Sequence, residues 1–189
     1  MRTFIALKLS QQIRNEIAEL QKNLRNHYQE GVKWIEPKNL HITLIFIGET
    51  SDSERQIISN SISEITHQFP PLFLQSNQLE FIPRVKPNIL WLKLFPLNSQ
   101  AKSLYYELAK SLLYKGIRLD LRKPVFHITL ARIKKRLPDI NPNSFLTTEL
   151  INRKIEILEL ALMQSKLSSA GANYFQLENF SLDKKEGEK

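Results

Sequence analysis

The chain has 189 residues, 42% of them hydrophobic, with a formal net charge of +8 at pH 7 and a pI of about 9.7. It contains no cysteine, which excludes disulfide bonds, thiol catalysis and cysteine-ligated zinc sites. No run approaches the roughly 20 apolar residues of a membrane span, and the apolar start is too short for a signal peptide, so we expect a soluble protein. The absence of cysteine suits a reducing compartment, and we expect the cytoplasm. The basic surplus favours an anionic partner such as nucleic acid or a nucleotide.

Hydrophobic periodicity predicts strands interleaved with helices along the chain. The predicted strands cover residues 2–9, 33–35, 41–48, 72–81, 89–95, 127–132, 155–165 and 174–182. Three helices are predicted, with N-caps at Ser10, at Ser51 or Asp52, and at Asn98 or Ser99. We expect the charged tail, residues 183–189, to be disordered.

Each half of the chain carries a helix followed by a strand that begins with histidine. This order predicts an α+β, bilobal fold: two pseudo-symmetric antiparallel-sheet lobes with helices on the outside and a central cleft. No low-complexity linker divides the halves, so we predict a single domain over residues 1–189.

The tetrapeptide His-Ile-Thr-Leu begins at His41 and again at His127, 86 positions later, although the chain has only four histidines. In a strand, residues i and i+2 point to the same face. His41 therefore shares a face with Thr43, and His127 with Thr129. A single such pair is ordinarily structural, but a core histidine has no reason to recur in the same frame, so the repeat favours a two-histidine site.

Two imidazoles and two hydroxyls suit chemistry at a phosphodiester. One imidazole takes a proton from the attacking oxygen and the other protonates the leaving oxygen, while the threonines hold non-bridging oxygens. Such chemistry needs neither a metal nor a cofactor, and neither histidine has an obvious carboxylate cluster beside it in the sequence.

These paired motifs resemble the H-x-T-x motifs of the 2H phosphoesterase superfamily, and most of all its bacterial and archaeal RNA 2′,3′-cyclic phosphodiesterases, also called 2′-5′ RNA ligases. The likeness extends to the first strand, to residues 32–40 before the first motif, to residues 87–92 and to residues 165–177. Two departures lie outside the motifs: Phe126 replaces the proline that commonly precedes the second histidine, and residues 79–83 lack the family's glycine.

The resemblance implies an enzyme that hydrolyses RNA 2′,3′-cyclic phosphodiester ends to 2′-phosphomonoesters, with His41 as proton donor and His127 as proton acceptor. Thr43 and Thr129 would bind phosphate oxygens. The reverse reaction, 2′-5′ ligation, accounts for the second family name. The residues alone do not distinguish the acid from the base. We further expect a monomer, no metal, and partners that are RNA or nucleotides with 2′,3′-cyclic phosphate ends.

Phe46 and Arg132 occupy the same offset, five residues after each motif histidine. In the family these positions resemble a base-stacking aromatic and a phosphate-side arginine. Regular strand alternation places both on the face opposite the histidines, so either a bulge or the strand end must redirect them, or they are structural.

Other features leave alternatives open. His27 and His67 lie near predicted helix ends, where solvated or capping roles are typical, and Tyr174 is either a core residue or a border of the cleft. An RNA path and a solvated basic loop are equally consistent with the basic residues Lys115, Arg118, Arg122, Lys123, Lys134, Lys135 and Arg136.

Two other functions stay possible for such a chain. One is a different 2H activity, such as opening an ADP-ribose cyclic phosphate or cleaving 2′-5′ oligoadenylate. The other is a non-catalytic RNA-binding protein that works through its basic surface.

Overall fold

The computed structural model describes residues 1–83, 86–121, 123–135, 137, 141–146, 150–168 and 171–183. Within these ranges the strands are β1 (Arg2–Leu7), β2 (Val32–Trp34), β3 (Ile42–Glu49), β4 (Leu72–Ile82), β5 (Ile89–Pro96), β6 (His127–Ile133), β7 (Lys154–Ile157), β8 (Glu159–Ser168) and β9 (Gly171–Ser181). The helices are α1 (Gln11–Arg25), α2 (Asp52–Thr66) and α3 (Gln100–Tyr114), with short 3-10 turns at Pro37–Asn39 and Pro142–Phe145.

Local chemistry explains where the helices begin. The Ser10 hydroxyl accepts a hydrogen bond from the Ile13 amide and caps α1. Ser51, rather than its alternative Asp52, caps α2 and forms a reciprocal capping box with Glu54. At α3 the side chain of the N-cap Ser99 makes no capping hydrogen bond.

All the described strands form one antiparallel sheet in the order β7-β4-β5-β6-β3-β1-β8-β9. The remaining strand, β2, pairs with the end of β6 that does not pair with β3. The two histidine strands, β3 and β6, are neighbours at its centre. In each half, the histidine strand pairs with the strand that precedes its helix: β3 with β1 across α1, and β6 with β5 across α3. The predicted α+β, two-lobed architecture is therefore confirmed, with both lobes sharing one sheet.

One predicted strand is wrong. Residues 155–165 form two strands that lie far apart in the sheet, because β7 pairs with β4 in one lobe and β8 pairs with β1 in the other. The break falls at Leu158, which is 52% exposed. Apolar residues alternate on both sides of the break, so periodicity alone did not reveal it.

The core lies on one face of the sheet, where the apolar sides of all three helices pack in a single cluster. Ile42 and Ile128, the residues after the two motif histidines, are fully buried there and pair directly across the β3–β6 ladder. Gln21 of α1 is also buried, and its amide donates to the Ile35 carbonyl at 2.8 Å and the Leu130 carbonyl at 2.9 Å. These bonds tie α1 to the middle of β6 and satisfy a buried polar group.

None of the helices in the described part of the chain is long and apolar enough to cross a membrane. At the C-terminus, the Asp183 carboxylate lies 3.0 Å from the His67 imidazole. The rest of the predicted tail, residues 184–189, lies outside the described residues.

Candidate active site

The four motif side chains line one cleft of about 540 Å³, on the face of the sheet opposite the core. Along β3 and β6, His41, Thr43, His127 and Thr129 are half-buried, while the isoleucine and leucine between and after them are buried. Both lobes supply the rest of the lining, which includes Arg2, Phe4, Ile35, Asn39, Phe46, Ile89, Trp91, Asp120, Arg132, Ser165 and Tyr174.

The same backbone contact orients both histidines. His41 Nδ1 lies 2.7 Å from the Asn39 carbonyl, and His127 Nδ1 lies 2.8 Å from the Val125 carbonyl, in each case two residues earlier. A carbonyl oxygen only accepts hydrogen bonds, so Nδ1 must carry the proton in both rings. In the neutral imidazole this leaves Nε2 as the free base.

Burial sets the protonation of both rings. It lowers the pKa of His41 below its ordinary value, outweighing the hydrogen bond to the Asn39 carbonyl, and the nearby His127 lowers it further. Burial also lowers the pKa of His127, against the opposing effect of the Val125 carbonyl. Two imidazoles whose charges interact across one cleft are suited to proton transfer at a shared group.

A β-bulge occurs at the last residue of each motif. The ladder register shifts at Leu44 in β3 and at Leu130 in β6, three residues after each histidine. The extra residue reverses the alternation, so Phe46 and Arg132 return to the cleft face. Regular alternation would have put both residues on the core face, and the matched bulges are the physical reason they line the cleft.

Aromatic rings surround His41. The ring centroids of Phe4 and Tyr174 each lie 5.0 Å from the His41 imidazole, and Tyr174 meets it edge-on. Phe46 lies 6.2 Å from Phe4 and is 57% exposed. The first lobe therefore gives the cleft an apolar wall with one exposed ring, and Tyr174 belongs to that wall rather than to the core.

His127 has different neighbours. The Trp91 ring lies 4.2 Å from its imidazole at an interplanar angle of 37°. On the same strand as His127, Arg132 is exposed and lines the cleft beyond the bulge. This half of the cleft combines an indole with a permanent positive charge.

The remaining candidates lie elsewhere. His27 stacks on Phe145 at 4.2 Å, and His67 is the C-cap of α2. Lys115 pairs with Glu64, and Lys135 pairs with Glu30. Two of the predicted basic residues, Arg122 and Arg136, lie outside the described part of the chain.

Phe4, Trp91 and the carbonyls of Asn39 and Val125 were not among the predicted site residues. Trp91 reaches His127 only because β5 and β6 are neighbours in a particular register, and Phe4 reaches His41 through the β1–β3 ladder. Local sequence does not encode these pairings. Within the described ranges, no group of three or more histidine, aspartate or glutamate side chains is arranged to hold a metal ion.

Comparison with known proteins agrees with this geometry. Residues 7–91 match the family model described as LigT like Phosphoesterase. A relative from Aquifex aeolicus named RNA 2′,3′-cyclic phosphodiesterase is 30% identical over 188 residues, covering 96% of this chain and 97% of its own. One of the same name from Archaeoglobus fulgidus is 29% identical over 184 residues, covering 95% and 99%.

The fold is shared with a solved structure of the same size. The crystal structure of TT0787 from Thermus thermophilus aligns with a TM-score of 0.81 at 26% identity, covering 96% of this chain and 98% of that one. Full-length similarity in sequence and fold leaves no large part of the chain unmatched. The chain is therefore an enzyme of the LigT-like phosphoesterase family in the 2H superfamily, whose matched relatives are named RNA 2′,3′-cyclic phosphodiesterases.

Proposed function

We propose that this enzyme hydrolyses RNA 2′,3′-cyclic phosphate ends to 2′-phosphomonoesters by acid/base catalysis between His41 and His127. The observation that carries the proposal is the matched pair of imidazoles, each with Nδ1 bonded to a carbonyl and each beside a threonine in one cleft. The names of the full-length relatives support the substrate class.

The two histidines account for both proton transfers of the hydrolysis. His127 Nε2 takes a proton from water as the water oxygen attacks phosphorus. The bond from phosphorus to the 3′ oxygen breaks, and protonated His41 gives its Nε2 proton to that oxygen. The products are a 2′-phosphate and a free 3′ hydroxyl. The assignment of His41 as acid rests on the family resemblance.

Other cleft residues fit the substrate. The hydroxyls of Thr43 and Thr129 are suited to donate to non-bridging phosphate oxygens, where charge grows in the transition state. The Arg132 guanidinium suits a phosphate of the RNA backbone. The exposed Phe46 ring suits stacking against a base.

The proposed chemistry places no metal in the reaction. An RNA oligonucleotide with a 2′,3′-cyclic end, incubated with the enzyme in EDTA, tests this directly. We expect full turnover in EDTA, strong loss in His41→Ala and His127→Ala, and wild-type turnover in the control His67→Ala. Loss of activity with EDTA, or undiminished turnover in either cleft variant, contradicts the proposal.

Three finer expectations are part of the proposal: reversible 2′-5′ ligation by the same residues, a monomeric state and a cytoplasmic location. Rates on an ADP-ribose cyclic phosphate and on 2′-5′ oligoadenylate, measured beside the RNA substrate, test the substrate class. RNA binding without turnover of any of these substrates would instead favour the non-catalytic alternative.

A further inference from the structure

A largely buried carboxylate lies behind His127. Glu80 of β4 is 13% exposed and accepts three hydrogen bonds: from Trp91 Nε1 at 3.0 Å, from Lys93 Nζ at 3.0 Å and from Gln78 Nε2 at 2.6 Å. Burial raises the pKa of Glu80, but these hydrogen bonds and the charge of Lys93 lower it overall. Glu80 is therefore ionised and held by these three donors, and it does not line the cleft itself.

The sheet register connects this carboxylate to the catalytic strand. Glu80 lies opposite Trp91 in the β4–β5 ladder, and Lys93 lies opposite His127 in the β5–β6 ladder. Paired residues point to the same face of a sheet, so all four side chains lie on the cleft side. The indole of Trp91 then lies between the carboxylate and the imidazole, 4.2 Å from the latter.

A hydrogen bond at Nδ1 alone does not fix an imidazole, because the ring can still tilt about the bonded nitrogen. An aromatic ring against its face restricts that tilt. The indole is in turn restrained because its only polar atom, Nε1, is bonded to Glu80. The contacts from Glu80 through Trp91 to His127 are therefore placed to restrict the direction of Nε2 in the cleft.

We propose that Glu80 is a positioning residue for His127, acting by holding the Trp91 indole against the imidazole. This inference rests on the proposed function, in which His127 Nε2 must point at the attacking water. Near His41 the corresponding rings are those of Phe4 and Tyr174. An indole bonded to a carboxylate therefore distinguishes the His127 half of the cleft.

The test combines kinetics with NMR of the histidine rings. In Glu80→Ala the indole loses its acceptor, and we expect kcat to fall roughly tenfold with KM within about twofold of wild type. The ring C–H resonances of His127, displaced by the indole ring current, should move while those of His41 stay in place. The NMR measurement needs no substrate, so its failure is distinguishable from failure of the proposed reaction.

Two variants test the hydrogen bond from Trp91 Nε1 to Glu80. Glu80→Gln keeps an oxygen acceptor for Nε1 and loses the charge, so it should restore the His127 resonances. Trp91→Phe keeps a ring and loses the donor, and it should lower kcat as Glu80→Ala does. The matched control is Glu64→Ala, which removes an exposed carboxylate bonded to Lys115 at 2.8 Å and should change neither readout.

Three results would overturn the proposal. His127 resonances unchanged in Glu80→Ala would show that the indole stays in place without its acceptor. Equal movement of the His41 resonances would indicate general loosening of the cleft. A defect in Glu80→Gln as large as in Glu80→Ala would assign the effect to the charge paired with Lys93 instead of the indole.

Discussion

The two halves of the cleft share a backbone and differ in what surrounds it. In both, a histidine begins the motif, its Nδ1 is bonded to the carbonyl two residues earlier, and a bulge follows three residues later. Around His41 the neighbours are phenyl and phenol rings, whereas His127 has an indole anchored to Glu80. The repeated backbone supplies two equivalent imidazoles, and the different neighbours offer a way to give them different tasks.

The largest expected effect comes from removing the histidines that carry the two proposed proton transfers. His41→Ala and His127→Ala should each lower kcat by about 10²- to 10⁴-fold, because each removes one proton transfer. The kcat of the double variant should be little below that of the less active single variant, since the two groups act as a unit. Single-turnover kinetics measures this, and strictly multiplicative losses would contradict a shared mechanism.

The threonines test whether the halves contribute equally to charge stabilisation. Thr43→Val and Thr129→Val preserve shape and remove one hydroxyl each, so each should lower kcat by about 10²-fold. Steady-state kinetics with the cyclic substrate measures the two losses side by side. A Thr43→Val enzyme with unchanged kcat would exclude phosphate contact on the His41 side.

The pH dependence of kcat/KM tests the lowered pKa values of the two histidines. The proposed mechanism needs His127 neutral and His41 protonated, and burial lowers the pKa of both rings below the ordinary value of 6.5. The plot of kcat/KM against pH should therefore be bell-shaped, with its maximum on the acid side of 6.5. A maximum well above that value, or a profile with one limb, would contradict paired imidazoles with lowered pKa values.

A smaller effect is expected from the exposed ring of the His41 half. Phe46→Ala should raise KM for an RNA substrate roughly tenfold with little change in kcat, because a stacking contact is lost in substrate and transition state alike. Phe175→Ala is the control, since Phe175 has a similar exposure but does not line the cleft. Equal KM changes in both variants would remove the reason to assign base stacking to Phe46.

Much of this arrangement is visible in the sequence because it is local. The repeated tetrapeptide and two-residue alternation predict which side chains share a face, and Ser10 and Ser51 mark two helix starts. The bulges at Leu44 and Leu130 are not visible, because they depend on pairing with β1 and β5. For the same reason the contact of Trp91 with His127 could not be predicted.

The measurement that tests the central claim most directly is the identity of the product. RNA ending in a 2′,3′-cyclic phosphate is incubated with the enzyme in EDTA, and the new phosphomonoester is assigned by phosphorus NMR. If His41 protonates the 3′ oxygen, as proposed, the product is the 2′-phosphate. A 3′-phosphate product would mean that the 2′ oxygen leaves, and it would contradict the assignment of the two histidines to their ends of the reaction.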